Sequence, residues 1–510
     1  MTEHRAAALS DLQDDEPIDV ELDGTKVLLV RHGGSVHAVA ALCPHKGVPL
    51  SKGIVADGRI VCGIHRAAFD LKSGEVVKPP ACENLARYDV RVDGNDIYVT
   101  VPENHEPHPL PRMGKGGGEK HFVIVGAGAA GWRAAETLRR ESFDGRITVV
   151  TDEHPLPYDR TDLSKAYLSS DEMPDDPIIR AAGPIAAHDI EVREGAVSAL
   201  DPDAKTVTVN GKAIAYDRVL IATGSDARRL EVPGADLDGI HVIRTLDDAK
   251  TLRNDLSNAR NGNVVIVGGG FIGLEAAAAL SGKDVNVTVV LRGDAPFADL
   301  FGDEFAQRLK REHEEAGVRF VTKTNVTGFE GDARVARVKT DGDALPADLV
   351  IMAVGAEPRT GWLPFETGDD GGVAVDEAFR VRGQADVFAA GDIARVPTEW
   401  GNVRIEHWRF AQETGELAAR NMLGQSAPYD GTPFFWSMQQ IAGSYTYTGH
   451  AEGFDSIEGD VEPQDFSAGY VKDGMVQAVL AHGVMDEVTA LEPKMAGRGP
   501  LPKEEAVINA

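Results

Sequence analysis

The sequence predicts a multidomain protein with an all-β N-terminal domain, two α/β domains and a small α+β C-terminal domain. Three observations predict this order. The chain has 510 residues, which is too long for one hydrophobic core. Short runs of alternating apolar and polar residues, broken by Gly and Asp turns, fill residues 17–101. Two apolar strands then follow, and each runs into a glycine-rich turn and an Ala-rich helix.

Composition and charge exclude several classes of function. The formal net charge is −29, which disfavours nucleic acid or an anionic membrane as a partner. The first residues have no apolar signal region, and no window approaches a membrane span. These features predict a cytoplasmic protein, and they leave its oligomeric state open.

Cysteine and histidine residues form a pattern in the β domain. The chain has 3 cysteines, which is too few for a disulfide scaffold and is typical of a reducing compartment. Cys43 and His45 lie in CPHKG, and Cys62 and His65 lie in CGIHRAAFD. Two thiolates and two imidazoles are the ligands of an asymmetric [2Fe–2S] centre. Zinc accepts the same set, but zinc fingers usually pair C-x-x-C with H-x₃₋₅-H. Cys82 lies outside both loops and is interpreted as a structural thiol.

These residues resemble the Rieske family over residues 17–102. The resemblance implies that Cys43, His45, Cys62 and His65 ligate the cluster. In high-potential members a Ser and a Tyr hydroxyl follow in the second loop and bond to sulfur, whereas His65 here is followed by RAAF. Fewer hydrogen bonds to sulfur stabilise the reduced cluster less, so we expect a potential near the low end of the Rieske range, about −150 mV.

Two glycine motifs follow a Pro- and Gly-rich segment, which predicts a linker that is semi-stiff in its first half and flexible in its second. HFVIVGAGAAG and NVVIVGGGFIG each place G-x-G-x-x-G between a strand and a helix. That context lets backbone approach a pyrophosphate at the helix N-terminus, so each motif predicts a Rossmann-like dinucleotide site. Asp152 ends the next strand, where an acid can bind a ribose hydroxyl.

Further segments, LIATGSDARR, IMAVGAEP and DVFAAGDIA, complete a resemblance to the pyridine nucleotide–disulfide oxidoreductase superfamily over residues 120–425. Its FAD domain is interrupted by the NAD(P) domain. The resemblance implies the following boundaries: 1–103 Rieske domain, 104–119 linker, 120–239 and 346–427 FAD domain, 240–345 NAD(P) domain and 428–510 C-terminal interface domain.

The active site resembles one branch of this superfamily. No cysteine lies near LPYDRTDLSK, where disulfide reductases carry a redox pair. The segment is similar to that of oxygenase-coupled ferredoxin reductases and apoptosis-inducing factors, in which Lys165 would pair with Glu275 beside the flavin. RIEHW and TPFFWSMQQ resemble flavin-facing segments, although Met438 replaces the usual Asp. The residues implied as catalytic are Lys165, Glu275 and Trp436.

The resemblance also implies the cofactor contacts. Those to FAD are Gly126, Gly128, Ala129, Ala130, Gly131, Asp152, Glu153, Arg160, Lys165, Val197, Thr223, Gly224, Arg228, Gly355, Asp392, Glu406, His407, Trp408 and Trp436. Those to the nicotinamide nucleotide are Gly268, Gly270, Phe271, Ile272, Gly273 and Arg292. Leu291 stands where NADH enzymes place an acid, and Arg292 could attract a 2′-phosphate, so NADH and NADPH both remain open.

The order of modules predicts an NAD(P)H:ferredoxin oxidoreductase. Nicotinamide releases hydride, a [2Fe–2S] cluster accepts single electrons, and flavin handles both. The fused cluster would be the first acceptor, and an oxygenase, a cytochrome or a ferredoxin would follow. The alternative is a redox-responsive binding protein of the apoptosis-inducing-factor type with slow turnover.

Overall fold

The computed structural model describes residues 2–153, 157–170, 188–259, 262–441, 443–506 and 508, without the side chains of 258, 436–440 and 485–486. It confirms the predicted fold class, with an antiparallel N-terminal part, two parallel sheets flanked by helices and a C-terminal α+β part. Within those described ranges no helix is long and apolar enough to cross a membrane.

The N-terminal domain is built from two antiparallel sheets, with strand orders β1-β10-β9-β4-β3-β2 and β5-β6-β7-β8. In β10 every second side chain is buried, because one face packs on the core and the other faces outward. The strands are β1 (Thr2–Ala8), β2 (Ile18–Leu22), β3 (Thr25–His32), β4 (Ser35–Ala40), β5 (Ile54–Ala56), β6 (Arg59–Val61), β7 (Ala68–Asp70), β8 (Val76–Lys78), β9 (Arg87–Asp93) and β10 (Asp96–Val101).

Strand β1 was not predicted from the sequence, because the predicted strands begin at residue 17. It pairs antiparallel with β10 and forms the edge of the sheet. None of its residues is fully buried. An edge strand of this kind carries little apolar alternation, so the pattern gave no signal.

The first parallel sheet has the order β13-β12-β11-β17-β29. Strand β11 is buried on both faces, as expected for a central parallel strand. The elements before the inserted domain are β11 (His121–Val125), α1 (Ala129–Arg140), β12 (Arg146–Thr151), α2 (Ala166–Ser169), β13 (Ile190–Glu194), β14 (Val197–Asp201), β15 (Thr206–Val209), β16 (Lys212–Ala215), β17 (Arg218–Ile221) and β18 (Ser225–Ala227).

The second parallel sheet has the order β19-β26-β20-β21-β22. Its part of the chain contains β19 (Ile240–His241), α3 (Leu246–Asn258), β20 (Gly262–Val267), α4 (Phe271–Leu280), β21 (Val285–Val290), α5 (Ala298–Phe301), α6 (Asp303–Glu315), β22 (Arg319–Val321), β23 (Val326–Glu330), β24 (Arg337–Thr340), β25 (Leu345–Pro346) and β26 (Leu349–Met352). The predicted boundary between residues 345 and 346 therefore falls before β26, which pairs with β20. The chain leaves the second sheet after Met352, and the other boundaries stay predictions.

The chain then returns to the first sheet and continues into the C-terminal part. The elements are β27 (Ala356–Pro358), β28 (Val373–Ala374), β29 (Val387–Ala389), β30 (Ala394–Thr398), β31 (Gly401–Val403), α7 (Trp408–Met422), β32 (Phe434–Gln440), β33 (Gly443–Gly449), β34 (Ser456–Glu458), β35 (Phe466–Lys472), β36 (Met475–His482), α8 (Met485–Thr489), α9 (Leu491–Met495) and β37 (Leu501–Pro502). Strands β18 and β27 pair antiparallel, so the outward and return crossings run side by side. The C-terminal sheet has the order β32-β33-β36-β35-β34.

The predicted linker has no helix or strand, but its backbone is attached on both sides. Pro107 and Pro109 accept backbone hydrogen bonds from the N-terminal domain, at 2.8 and 3.0 Å. Gly114 and Gly118 donate to Arg139 and Asp144 of the first α/β domain, both at 2.7 Å. The flexibility of the glycine half stays a prediction, although the N–H groups of Gly114 and Gly118 have carbonyl partners.

Buried charges hold helices α1 and α7 together. Arg133 on α1 contacts Glu416 on α7 with a 2.5 Å Nη2–Oε2 distance, and their side chains are 2% and 7% exposed. Gly415 also lies so close to α1 that a Cβ would come within 2.2 Å of the Ala130 carbonyl. The two helices therefore pack almost backbone to backbone.

Replacing Glu416 by Ala should lower the melting temperature strongly. Arg133 would stay buried without its carboxylate, which typically costs about 3–5 kcal/mol. The control is Glu462→Ala, since Glu462 and its partner Arg311 are 51% and 50% exposed and such pairs contribute about 0–1 kcal/mol. Thermal unfolding of both variants checks the prediction, and equal shifts would contradict it.

Candidate functional site

The four cluster-ligand candidates meet at one end of the N-terminal domain. Cys43 and Cys62 are each 1% exposed, and His65 is 5% exposed. Both loops are tight turns, in which Gly47 N donates to Cys43 O at 2.8 Å and Arg66 N donates to Cys62 O at 3.1 Å. The sequence thus brings each Cys and its neighbouring His to one surface from two separate loops.

The ligands are arranged as a pair of sulfurs and a pair of nitrogens. The Nδ1 atoms of His45 and His65 are 3.0 Å apart, close enough to bind one metal ion together. A hydrogen bond from Cys43 lowers the pKa of Cys62 to about 7, while the same bond and burial raise the pKa of Cys43. In the described part of the chain, no three His, Cys, Asp or Glu residues are grouped tightly enough for a single ion. Two separate pairs fit two irons and do not fit one tetrahedral zinc.

Burial keeps both imidazoles neutral at pH 7. It lowers the pKa of His45 to about 4 and that of His65 well below its usual range. A neutral imidazole is the form that ligates a metal. Cys82 differs, since burial raises its pKa to about 12 and its sulfur lies 3.8 Å from the Pro80 carbonyl oxygen.

The two glycine motifs share one construction. A Cβ on Gly126 would lie 2.2 Å from the Ala222 carbonyl, and one on Gly268 would lie 2.2 Å from the Ala353 carbonyl. Gly131 and Gly273 are equally closed, by the carbonyls of Gly126 and Gly268.

The middle glycines differ from their neighbours. A Cβ on Gly128 or Gly270 would meet no atom within 4 Å, and these two residues are the N-caps of α1 and α4. The first and third glycines are thus required by packing, and the middle one leaves space at a helix N-terminus, where a pyrophosphate fits. Ala129 and Ala130 form the first turn of α1.

A polar cleft lies at the carboxyl ends of the first parallel sheet. Asp152, Glu153, Arg160 and Thr223 line it. Asp152 accepts a 2.8 Å hydrogen bond from Arg359, which lowers the pKa of that carboxyl. Arg160 donates to Glu153 at 2.7 Å.

Asp392 lies beside this cleft. It follows β29 and accepts hydrogen bonds from Ser225 at 2.8 Å and from Arg244 at 3.0 Å. Gly224 adopts φ +65 next to Arg244, and Gly355 adopts φ +107 on the return strand pair. These residues fit a ligand that runs from the ribose acid to the end of β29.

Lys165 and Glu275 form a buried pair. The Nζ–Oε2 distance is 2.6 Å, and Ser164 donates to the same oxygen at 2.6 Å. The side chains are 12% and 6% exposed. Glu275 lies on α4 and Lys165 at the start of α2, so this pair joins the two α/β domains.

His407, the N-cap of α7, lies near Lys165 and near the ligand His65. Burial lowers the pKa of His407 to about 3. Trp408 begins α7, and Glu406 accepts a 2.7 Å hydrogen bond from Arg404, which in turn donates to the Asp392 carbonyl. The structure therefore brings these flavin-side candidates, the Lys165–Glu275 pair and the cluster ligands into one region.

Some predicted contacts lie apart from this region or take other partners. Arg228 is exposed, and its backbone N–H donates to Gly355. Val197 begins β14 and packs on the core of the first sheet. The ring of Phe271 packs at an angle against Phe297 and edge-on against Phe435 of the C-terminal part.

The remaining candidate contacts differ in their exposure to solvent. Ile272 is 39% exposed, and Arg292 is exposed after β21. Leu291 is 7% exposed, and its side chain lies beside Gly269 of the second glycine motif. The backbone of Trp436 lies in β32, and its side chain falls outside the described residues.

Sequence reasoning missed two arginines. Arg244 and Arg359 line the cleft, and both contact acids predicted as FAD ligands. A signal existed for Arg244, because it directly precedes the capping box formed by Thr245 and Asp248 at the start of α3. Arg359 is positioned by the return strand β27 and gave no local signal.

Comparison with protein families agrees with this geometry. Residues 120–415 match the model of the family described as pyridine nucleotide-disulphide oxidoreductase, and residues 2–89 match that of the Rieske [2Fe-2S] domain. The chain belongs to the pyridine nucleotide-disulphide oxidoreductase family and carries an N-terminal Rieske domain. It therefore binds FAD, a nicotinamide nucleotide and a Rieske [2Fe–2S] cluster.

Individual relatives match over most of their length. Apoptosis-inducing factor 3 of Homo sapiens is 34% identical over 93% of this chain and 80% of its own. The biphenyl dioxygenase system ferredoxin--NAD(+) reductase component of Paraburkholderia xenovorans is 36% identical over 71% of this chain and 89% of its own. The solved covalent complex of putidaredoxin reductase and putidaredoxin is similar with a TM-score of 0.71 and 29% identity, over 76% of this chain and 95% of that one.

Substituting the middle glycines should remove one cofactor at a time. Gly128→Val should lower the FAD content per protein, because its side chain fills the space at α1 without meeting protein atoms. Gly270→Val should keep FAD and raise the KM for the nicotinamide nucleotide about tenfold or more, by the same exclusion at α4. Flavin absorbance and steady-state kinetics measure these effects. Loss of FAD in the Gly270 variant alone would contradict the assignment.

Cysteine substitution should separate the cluster ligands from the third thiol. Cys62→Ser should lose iron and acid-labile sulfide, because a ligand thiolate is removed. Cys82→Ser is the matched control and should retain both, since Cys82 lies outside the ligand loops. Chemical iron and sulfide analysis checks this, and a full cluster in the Cys62 variant would refute it.

Proposed function

We propose that this protein is an NAD(P)H-dependent reductase of the ferredoxin-reductase type, whose first electron acceptor is its own Rieske cluster and whose second is a separate redox partner. One observation carries the proposal: Lys46, next to the ligand His45, forms an ion pair with Asp162 of the FAD-binding part at 3.1 Å. The electrostatics agree with this contact, since burial and, beyond it, the charges of His407 and Lys165 lower the pKa of the ligand His65. The donor and acceptor cofactors therefore belong to one continuous region.

The chain's own residues supply charge and position in this region. Bound FAD accepts a hydride and releases electrons singly, which matches nicotinamide to a one-electron cluster. The ammonium of Lys165 is fixed by Glu275 and Ser164, so it is a pre-oriented positive charge for an anionic reduced flavin. His407 is neutral at pH 7, because burial lowers its pKa to about 3.

We infer a low cluster potential from the second ligand loop. Residues Ala67, Ala68 and Phe69 are buried and apolar, so the hydroxyl donors of high-potential relatives are replaced by carbon. Arg66 acts in the opposite direction as a buried cation, and we expect the missing hydroxyl donors to have the larger effect. A potential near the low end of the Rieske range suits delivery to a ferredoxin-type partner.

The downstream acceptor is inferred from relatives. Two are named as reductases of biphenyl and benzene dioxygenase systems. We propose that an oxygenase, a cytochrome or a ferredoxin accepts electrons from the cluster, in the cytoplasm, where free cysteines such as those of this chain persist. Leu291 stands where NADH enzymes place an acid, and Arg292 next to it is exposed, so neither residue offers a carboxylate that would exclude a 2′-phosphate. We propose that NADH and NADPH are both used.

Anaerobic titration with NADH and, separately, with NADPH tests the proposal. Flavin absorbance should bleach and the EPR signal of a reduced Rieske cluster should appear in the same sample. The Cys62→Ser variant is the control, and its flavin should bleach without that signal. A long-lived charge-transfer band without cluster reduction would reject the reductase and favour the redox-responsive binding protein.

Lys165→Met should slow flavin reduction about 10–100-fold, because it removes a pre-oriented charge beside the flavin. Stopped-flow absorbance with excess nicotinamide nucleotide measures the rate constant. Lys310→Met, at a partly exposed i,i+4 pair on α6, is the control and should leave the rate constant unchanged. Equal rate constants for the wild type and the Lys165 variant would contradict a role of the Lys165 charge in flavin reduction.

A further inference from the structure

Each ligand histidine of the cluster is directly followed by a cation that contacts a different part of the chain. Lys46 follows His45, and Arg66 follows His65. The first cation reaches the FAD-binding part and the second reaches the C-terminal part. This repeated arrangement indicates how the two cluster loops are held against the rest of the chain. A role of these contacts in electron transfer rests on the proposed function.

Lys46 is attached to the turn that carries Lys165. Its Nζ lies 3.1 and 3.2 Å from the two carboxylate oxygens of Asp162. The carbonyl of Asp162 accepts a 3.1 Å hydrogen bond from the backbone N–H of Lys165. Lys46, which follows the ligand His45, is thus bound one turn away from the Lys165–Glu275 pair.

Arg66 is attached to the first residue of β32. Its guanidinium lies over the ring of Phe434 at 4.9 Å from the centroid, and Arg409 lies over the same ring at 5.3 Å. Arg66 is 0% exposed and adopts φ +62, a conformation that costs a non-glycine residue energy. Trp436, a predicted flavin contact, lies two residues after Phe434 on the same strand.

A buried carboxylate offsets part of the positive charge at this second contact. Glu492 on α9 lies 2.5 Å from Arg409 and 3.6 Å from Lys78 of the Rieske domain. Burial alone would raise the pKa of Glu492, but Arg409 and Lys78 lower it to about 2, and Arg66 adds to this effect. The carboxylate is therefore ionised near the guanidinium of Arg66, which makes its burial tolerable.

We propose that Lys46 and Arg66 are positioning residues that clamp the histidine edge of the Rieske cluster onto the flavin-binding region, through Asp162 and Phe434 respectively. The two clamps lie on separate ligand loops, so together they fix the orientation of the edge as well as its location. The linker adds one contact near the first loop, since His108 Nε2 lies 2.9 Å from the carbonyl oxygen of Leu42.

Amide hydrogen exchange of the holoprotein tests the first clamp. Lys46→Glu should speed exchange in segments 43–48 and 159–165 about threefold to tenfold, because a half-exposed ion pair is replaced by a repulsion. Asp162→Lys should have the same effect, and the double variant Lys46→Glu/Asp162→Lys should restore slow exchange. Lys72→Glu is the matched control, since Lys72 is an exposed cation of the same domain.

Two substitutions test the second clamp. Arg66→Gly suits the φ of this position and removes the guanidinium, so it should speed exchange in segments 62–69 and 432–436 with the backbone conformation preserved. Arg66→Lys keeps the charge and loses the planar stacking, and it should lie between the wild type and Arg66→Gly. Iron content and the EPR spectrum establish that the cluster is present in each variant.

A measurement of electron transfer from flavin to cluster after rapid mixing with NADH separates the clamp proposal from the proposed reductase function. The clamp is supported when clamp variants exchange faster and Lys46→Glu/Asp162→Lys returns to the wild-type rate. It is overturned when Lys46→Glu and Arg66→Gly exchange like Lys72→Glu, or when the double variant fails to recover. If exchange behaves as expected but wild-type protein reduces FAD and never the cluster, the clamp stands and the proposed electron transfer is wrong.

Discussion

The buried ion pair between Arg409 and Glu492 is the contact on which the arrangement of this chain depends. Arg409 lies in the first turn of the long helix of the FAD-binding part, and Glu492 lies on a short helix of the C-terminal part. Their side chains are 1% and 7% exposed, and Lys78, which is 33% exposed, approaches Glu492 from the Rieske domain. The buried pair therefore joins two parts of the chain, and the third part contacts it from a more exposed position. Separating Arg409 from Glu492 would leave an uncompensated charge in an apolar setting, which is costly.

This contact changes the interpretation of the N-terminal module. A cluster domain on a flexible tether would collide with its reductase and separate again, as two proteins do. Here the tether is hydrogen-bonded along its length, and buried side chains fill the junction. Arg133 donates to Ala81 O, and Arg140 donates to Val76 O at 2.8 Å, so even backbone carbonyls of the module are engaged. In this structure these contacts dock the module on the reductase part.

Much of the site was accessible from sequence because its determinants are local. Each glycine motif lies within one strand–turn–helix unit, and each Cys–His pair lies within one loop, so spacing alone indicated them. The Lys165–Glu275 pair was anticipated only through resemblance, since 110 residues separate its members. Arg359 could not be found, because it reaches Asp152 from a strand 207 positions further along the chain.

The remaining errors have physical causes. The contacts of the linker gave no signal, because the N–H groups of Gly114 and Gly118 bond to carbonyls of residues further along the chain. Strand β1 lacked a pattern because an edge strand buries little.

The hydrogen bond between the sulfurs of Cys43 and Cys62 has a consequence for handling the protein. Two thiols that close, one of them acidic, are well placed to couple when an oxidant is present and iron is gone. In apoprotein kept in air, a disulfide between Cys43 and Cys62 would then link the two metal-binding loops. After loss of the cluster, a thiol reductant would have to reduce this disulfide before iron and sulfide can bind again.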